Sequence, residues 1–170
     1  MGVDVVDGEK VDVVAPGDAL PFSDERFDCV LSTQTLQYIP RPLDALDEFR
    51  RVLKPNGVLF LSTHGVGFTA RAIRDYWRWT EHGLTALLEQ TSGWSHIEVL
   101  PAGGVMCAAA YLIGGQLEFA AHRLGIPSAA APFCLGLNVM GWRADAATRR
   151  LYPALPPAAS VNFLAVATRG

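Results

Sequence analysis

Two nearly unbroken apolar runs, Phe27-Asp28-Cys29-Val30-Leu31-Ser32 and Val58-Leu59-Phe60-Leu61-Ser62, flank a single amphipathic stretch. A strand with one wet face alternates apolar and polar residues, whereas a strand covered on both faces reads as a continuous apolar run. Between the runs, Leu43, Leu46, Phe49, Val52 and Leu53 recur at helical spacing, which predicts one buried helix face. Pro40-Arg41-Pro42 opens that helix, because proline suits a first turn. Asp44, Asp47 and Glu48 lie early, and Arg50, Arg51 and Lys54 lie late, an order that complements the helix dipole. Pro55-Asn56-Gly57 stops the helix and turns the chain into the second run. Strand, helix, strand of this kind predicts an α/β fold with a mostly parallel sheet.

The flanking sequence extends the pattern. Gly2 to Val6 and Val11 to Ala15 are short β-branched runs separated by the turn residues Asp7-Gly8-Glu9-Lys10. They need not form a hairpin, since neighbours in a parallel sheet also follow one another. Thr80 reads as an N-cap of a helix carrying Leu84, Leu87 and Leu88, and Ile97 to Leu100 as a strand. Gly104 to Leu124 reads as an apolar helix with a break at Gly114-Gly115, followed by a second helical region over 127–150. Pro153 to Pro157 reads as a connector, and Val161 to Ala167 as the closing strand. No repeat or linker argues for a second domain. The expectation is one domain over 1–170, with a helical insertion at about 103–155.

Bulk properties exclude several functions. With 170 residues, half of them hydrophobic and 18% charged, the chain can bury a core. Its net charge is −3, and no basic run exceeds two residues, which argues against nucleic acid as a partner. Cys29, Cys107 and Cys134 have apolar neighbours and no zinc-type spacing, so buried free thiols in a reducing cytoplasm are expected and no metal site is. The charged N-terminus is no signal peptide, and no apolar run reaches the roughly 18 residues of a membrane span.

In an open parallel sheet, ligands bind outside the carboxyl ends of the strands. Asp4 stands at the first such end, Gly17-Asp18-Ala19 at the second, and Ser32-Thr33-Gln34 at the third. A carboxylate at the first accepts hydrogen bonds from vicinal ribose hydroxyls. An acid and an amide donor at the second read an adenine edge, and polar groups at the third face the reactive end of a cofactor. Each position also has a plain reading: Asp4 as a solvated turn residue, Asp18 as a turn former, Gln34 as a loop glutamine.

These segments resemble the class I methyltransferases that use S-adenosylmethionine, specifically the methyltransferase type 11 kind. Asp18-Ala19-Leu20-Pro21-Phe22 through Val30 is similar to the family's adenine-binding acid and its following strand. Arg51-Val52-Leu53-Lys54-Pro55-Asn56-Gly57-Val58-Leu59 is similar to its turn into the next strand, with Asn56 for the usual glycine. Gln37-Tyr38 stand where an acid and a histidine are usual. The resemblance implies a Rossmann-like sheet with an antiparallel final strand, and it covers roughly residues 2–100. It implies that Asp4 holds the ribose, Asp18 and Ala19 contact adenine with Leu20 alongside, and Ser32 and Gln34 line the methionine side. The family's first strand and Gly-x-Gly-x-Gly loop have no counterpart before Asp18, so the sheet reads as N-terminally truncated.

The implied activity is methyl transfer to a small-molecule acceptor, in this chain or in a fuller form of which it is a part. His64 is the positional candidate for a general base, or an ordinary loop histidine. Tyr76 and Arg78 are candidates for the acceptor pocket. The apolar segment from Gly103 to Trp142 reads as a helical cap or dimer patch, or as an acceptor or membrane-surface contact. A non-catalytic methyltransferase-like binding subunit is the alternative; a nicotinamide oxidoreductase, lacking its own glycine loop, ranks behind both.

Overall fold

The computed structural model describes residues 1–69, 74–152 and 159–170. The chain divides into two compact units. One comprises Met1–Thr63, Ala70–Leu100 and Leu164–Gly170, the other His64–Thr69 and Pro101–Phe163.

The strands are β1 (Val3–Asp4), β2 (Val13–Val14), β3 (Phe27–Thr33), β4 (Leu53–His64), β5 (Trp94–Ala102) and β6 (Asn162–Arg169). β1 and β2 pair in parallel as a two-stranded sheet, so the two short runs are indeed not a hairpin. The other four strands form a sheet in the order β3-β4-β6-β5. β3 and β4 run parallel. β6 is antiparallel to both neighbours: the Gly65 amide just past β4 donates to the Val161 carbonyl just before β6, and the Gly170 amide after β6 donates to the Gly93 carbonyl before β5. The fold is therefore α/β and Rossmann-like, mostly parallel, with the expected antiparallel final strand.

Helix α1 (Pro42–Val52) links β3 to β4 and buries Ala45, Leu46, Phe49 and Val52. The Lys54–Gly57 turn survives as a bulge: Phe27 pairs with Leu53, but Cys29 already pairs with Val58. Asn56 occupies the left-handed region at φ 64°, which asparagine tolerates better than most residues. A Cβ on Gly57 would lie 2.8 Å from the Lys54 carbonyl oxygen, so only glycine fits there. Helix α2 (Glu81–Gln90) is capped as expected, the Thr80 hydroxyl accepting from the Gly83 amide at 3.1 Å.

In the second unit, α3 (Val105–Arg123) and α4 (Pro127–Leu151) pack against each other. The expected break at Gly114-Gly115 does not occur. Gly114 is buried beside Cys134, whose thiol donates to the Gly114 carbonyl at 3.3 Å, but it is at Gly115 that a Cβ would run into the Phe68 ring, so close approach rather than a kink accounts for that glycine. Asp145 of α4 caps α3, accepting from the Met106 amide at 3.1 Å and the Cys107 amide at 2.8 Å. Burial, and then the Asp145 carboxylate beside it, pushes the Cys107 thiol up from its ordinary value. The expected uniform burial of the cysteines fails at Cys29, which is exposed on β3. The Pro153–Pro157 connector lies outside the described residues. Among the described residues, no helix is long and apolar enough to cross a membrane.

Candidate functional site

A groove of about 240 Å³ in the first unit runs between β1 and β3. Asp4, Gly17, Ser32 and Thr35 line its upper end, at the carboxyl ends of the strands. Phe22, Phe27, Phe49 and Val52 line its lower, apolar part. Of the sequence candidates, Asp4, Leu20 and Ser32 meet in this groove; Asp18, Ala19 and Gln34 lie beside it without lining it.

Asp4 closes β1, is exposed, and accepts from the Val6 amide at 3.1 Å. Asp18 carries an ion pair with Arg41 at 3.6 Å, but the Arg41 side chain is 70% exposed. Such a screened pair is worth less than about 1 kcal/mol and leaves the Asp18 carboxylate able to take another donor. The Ala19 amide is engaged in a turn with the Pro16 carbonyl at 3.2 Å. Ser32 is buried and its hydroxyl has no partner among the described residues. Gln34 follows β3 in the left-handed region at φ 52°, and its buried Oε1 is likewise unpartnered. Unpaired buried acceptors and a strained non-glycine residue at one strand end mark a place where polar groups are kept in reserve.

Two devices that the periodicity hid hold this end in place. The first is a clamp on α1. Arg51 donates to both Glu48 carboxylate oxygens at 2.7 and 2.9 Å, to Asp24 at 2.7 Å, and to the carbonyls of Phe22 at 2.7 Å and Leu20 at 3.1 Å. Glu48 in turn accepts from the Leu20 amide at 2.7 Å. The loop after β2, with its Leu20-Pro21-Phe22 sequence, is thus fastened to the helix by charge-assisted bonds. The Arg51 hydrogen bond holds the Glu48 carboxyl below its ordinary 4.5 against the opposing effect of burial, with help from the Leu20 amide. Because the folded value is the lower one, this stabilisation is complete above the ordinary value and disappears as pH falls through the folded value. A melting-temperature profile in acid should therefore drop more steeply for the wild type than for Glu48→Gln, the two converging once the carboxyl is protonated in the folded protein.

The second device is Gln37, buried completely in the 3₁₀ turn Leu36–Tyr38 after β3. Its Nε2 donates to the Gln34 carbonyl at 2.7 Å, and its Oε1 accepts from the Thr63 hydroxyl of β4 at 2.9 Å. Its own carbonyl accepts from the Tyr76 and Trp77 amides at 2.9 and 3.3 Å. Gln37 thereby joins the end of β3, β4 and the segment before α2.

The acceptor candidates follow that segment. Tyr76 is exposed, while Arg78 forms a two-pronged ion pair with the buried Asp75 at 2.5 and 2.6 Å. His64 belongs to the second unit, where its Nδ1 lies 2.9 Å from Asn162 Oδ1. An amide oxygen only accepts, so that contact puts the hydrogen on Nδ1 and leaves Nε2 as the basic nitrogen. No group of three or more side chains suited to a metal ion occurs among the described residues.

The sequence profile described as a methyltransferase domain matches residues 5–61. An uncharacterized methyltransferase of Mycolicibacterium paratuberculosis is 36% identical over 111 residues, covering 57% of this chain and 42% of that one. A ubiquinone biosynthesis O-methyltransferase of Histophilus somni is 43% identical over 49 residues, 29% of this chain and 21% of the relative. The chain spans less than half the length of these curated relatives. Among solved structures, Burkholderia thailandensis 1,6-didemethyltoxoflavin-N1-methyltransferase superposes with a TM-score of 0.53 over 98% of this chain and 59% of that one, at 16% identity, which is a likeness of fold. The matched profile and the methyltransferase relatives agree over the part of the chain that runs from β1 to β4, which is similar to a methyltransferase domain, and the chain shares the α/β fold of such enzymes.

Proposed function

We propose that the carboxyl end of this sheet holds the adenosine portion of S-adenosylmethionine and serves methyl transfer to a small, hydrophobic acceptor. The observation that carries this reading is the pair of buried, unpartnered oxygens, Ser32 Oγ and Gln34 Oε1, at the carboxyl end of β3. These groups fit a ligand rich in hydroxyls and amines, and Asp4 and Asp18 add two carboxylates suited to ribose hydroxyls and an adenine amine. The bound cofactor supplies an electrophilic methyl group on a sulfonium. The chain's contribution is to align that group with the acceptor and exclude water. The Glu48–Arg51 clamp and Gln37 serve the first task by fixing the loop after β2 and the end of β3. Tyr76 and Arg78 are assigned the shaping of the acceptor pocket. Residence in the cytoplasm accords with three free cysteines.

Calorimetric titration of the full chain with S-adenosylmethionine tests the reading. Saturable binding is expected, weakened about tenfold in Asp4→Asn and similarly in Asp18→Asn, the loss of one charge-assisted hydrogen bond each. An absence of binding sinks it. The exposed apolar residues of β3 and β4, Leu31 and Phe60, favour the alternative of a binding subunit without turnover, since a wet sheet face does not exclude water. That alternative predicts binding with no transfer to any hydrophobic acceptor tried.

A further inference from the structure

Helices α3 and α4 form an antiparallel hairpin inside the second unit, with Leu124–Ile126 at the turn. Their seam is built from small residues. A Cβ on Gly141 would meet the Met106 carbonyl and Ala110, Gly114 lies beside Cys134, and Ala121 clusters with Ala130 and Cys134. The side chains beside the seam are apolar and bare. Along α3 and its cap, Met106, Ile113, Leu117 and Leu124 recur at spacings of seven, four and seven, which is one stripe of an α-helix. Along α4, Phe133, Met140 and Leu151 form a second stripe at spacings of seven and eleven. Leu124, Met140 and Leu151 are 74%, 68% and 72% exposed, so neither stripe is core. At about 100° per residue, each stripe lies less than a third of a turn from its seam residues, in the same sense of rotation. In an antiparallel pair that shared sense brings both stripes to one side, as a continuous apolar face.

The charges are sorted about this face. Between Pro101 and Phe163 the chain carries Arg123, Arg143, Arg149 and Arg150 against Glu118 and Asp145, a local excess of cations in a chain of net charge −3. By the same helical geometry, Arg123 borders the face along α3, and Arg143 and Arg150 border it along α4. All three are exposed. Glu118 lies across the seam, while Asp145 is buried and committed to the Met106 and Cys107 amides. An apolar band edged by arginines on both long sides suits a bilayer interface, where apolar side chains enter the acyl boundary and arginines reach back to the headgroups. Among the described residues no helix is long and apolar enough to cross a membrane, which fits a hairpin that lies on the surface. A second copy is the poorer occupant, because it sets arginine against arginine with no acid on that side to pair them.

We propose that the α3–α4 hairpin docks on an anionic membrane surface, its two apolar stripes in the acyl boundary and Arg123, Arg143 and Arg150 on anionic lipid headgroups. This goes beyond the methyl-transfer reading and does not depend on it.

The test is co-sedimentation of the full chain with vesicles of phosphatidylcholine, alone or with roughly a third phosphatidylserine, without S-adenosylmethionine. Binding at about 0.1 M salt should be at least tenfold tighter to the anionic vesicles, a preference lost at about 0.5 M. A protein of net negative charge is repelled by such vesicles as a whole, so the preference reports a local cationic face. Arg123→Gln/Arg143→Gln/Arg150→Gln should weaken binding roughly a hundredfold, about fivefold for each arginine. Lys10→Gln/Lys54→Gln, which removes exposed cations of the first unit, should leave it within about twofold. Ile113→Ser/Met140→Ser should weaken binding about tenfold or more at either salt concentration. Binding that ignores lipid charge, or an equal loss in the lysine pair and the arginine triple, overturns the proposal. So does a dimer in sedimentation equilibrium that Ile113→Ser/Met140→Ser dissociates, because a second copy then covers the face. All these substitutions fall on exposed side chains, and should one fail to fold, the unaltered chain on the two vesicle compositions decides alone. No arm involves S-adenosylmethionine, so failure here leaves the calorimetric result standing, and the reverse.

Discussion

Arg51→Ala should lower the unfolding free energy by about 3 kcal/mol, a fall of roughly 6–12 °C in melting temperature for a chain of this size. Arg51 makes five hydrogen bonds to four residues with its side chain only 28% exposed, and two of the acceptors are carboxylates. Its removal strips Glu48 of its cation while leaving that carboxylate partly buried, the costly half of breaking an ion pair. Arg51→Lys should recover less than half of the loss, because an ammonium carries the charge without the planar fork that reaches Glu48, Asp24 and two carbonyls together. The damage should be local as well as global, with faster amide exchange at Leu20 than in β4, since Leu20 is bonded to the clamp through both its amide and its carbonyl. An Arg51→Ala protein within about 0.5 kcal/mol of wild type by urea denaturation contradicts the clamp.

Gln37→Leu should cost about 2–4 kcal/mol, although it exchanges one fully buried side chain for another of similar size. The expense lies in what stays behind: the Thr63 hydroxyl and the Gln34 carbonyl, both left without the partners they have now. Thr63→Val in the Gln37→Leu background should restore part of the stability by removing one orphan, the non-additivity expected of residues in contact. If the cofactor reading holds, Gln37→Leu also weakens S-adenosylmethionine binding, because Gln34 loses the bond that holds its backbone at φ 52°. A fully additive double mutant, with Thr63→Val merely adding its own loss, shows that the network carries no coupling.

The elements themselves were written plainly in the residues. Unbroken apolar runs foretold the strands β3 and β4, though not the cover expected on both faces, since Leu31 and Phe60 are exposed; helical spacing foretold α1, and Thr80 capped α2 as its hydroxyl suggests. These are short-range properties, decided by side chains a few positions apart. What periodicity misread depended on distant partners. Gly114-Gly115 looked like a break because glycine weakens an isolated helix, yet the helix is continuous and the Phe68 ring takes the space a Cβ on Gly115 would need. Glu48 and Arg51 looked like solvated dipole partners, and their loop acceptors lie about thirty residues earlier in the chain. Gln37 was visible only as a departure from a familiar pair of residues, and its Thr63 partner on β4 could not be inferred from spacing.

The sequence by itself determined the α/β class, the order of its elements and the resemblance to methyltransferases, because apolar periodicity and turn chemistry are local and the motifs are contiguous. Only the tertiary structure decided that Ser32 and Gln34 keep buried oxygens unpaired among the described residues, that Arg51 fastens the loop after β2, and that β1 and β3 belong to separate sheets. Each of those depends on which backbone and side-chain groups find partners across the fold, and hydrogen-bond satisfaction is a property of the folded arrangement rather than of any stretch of residues.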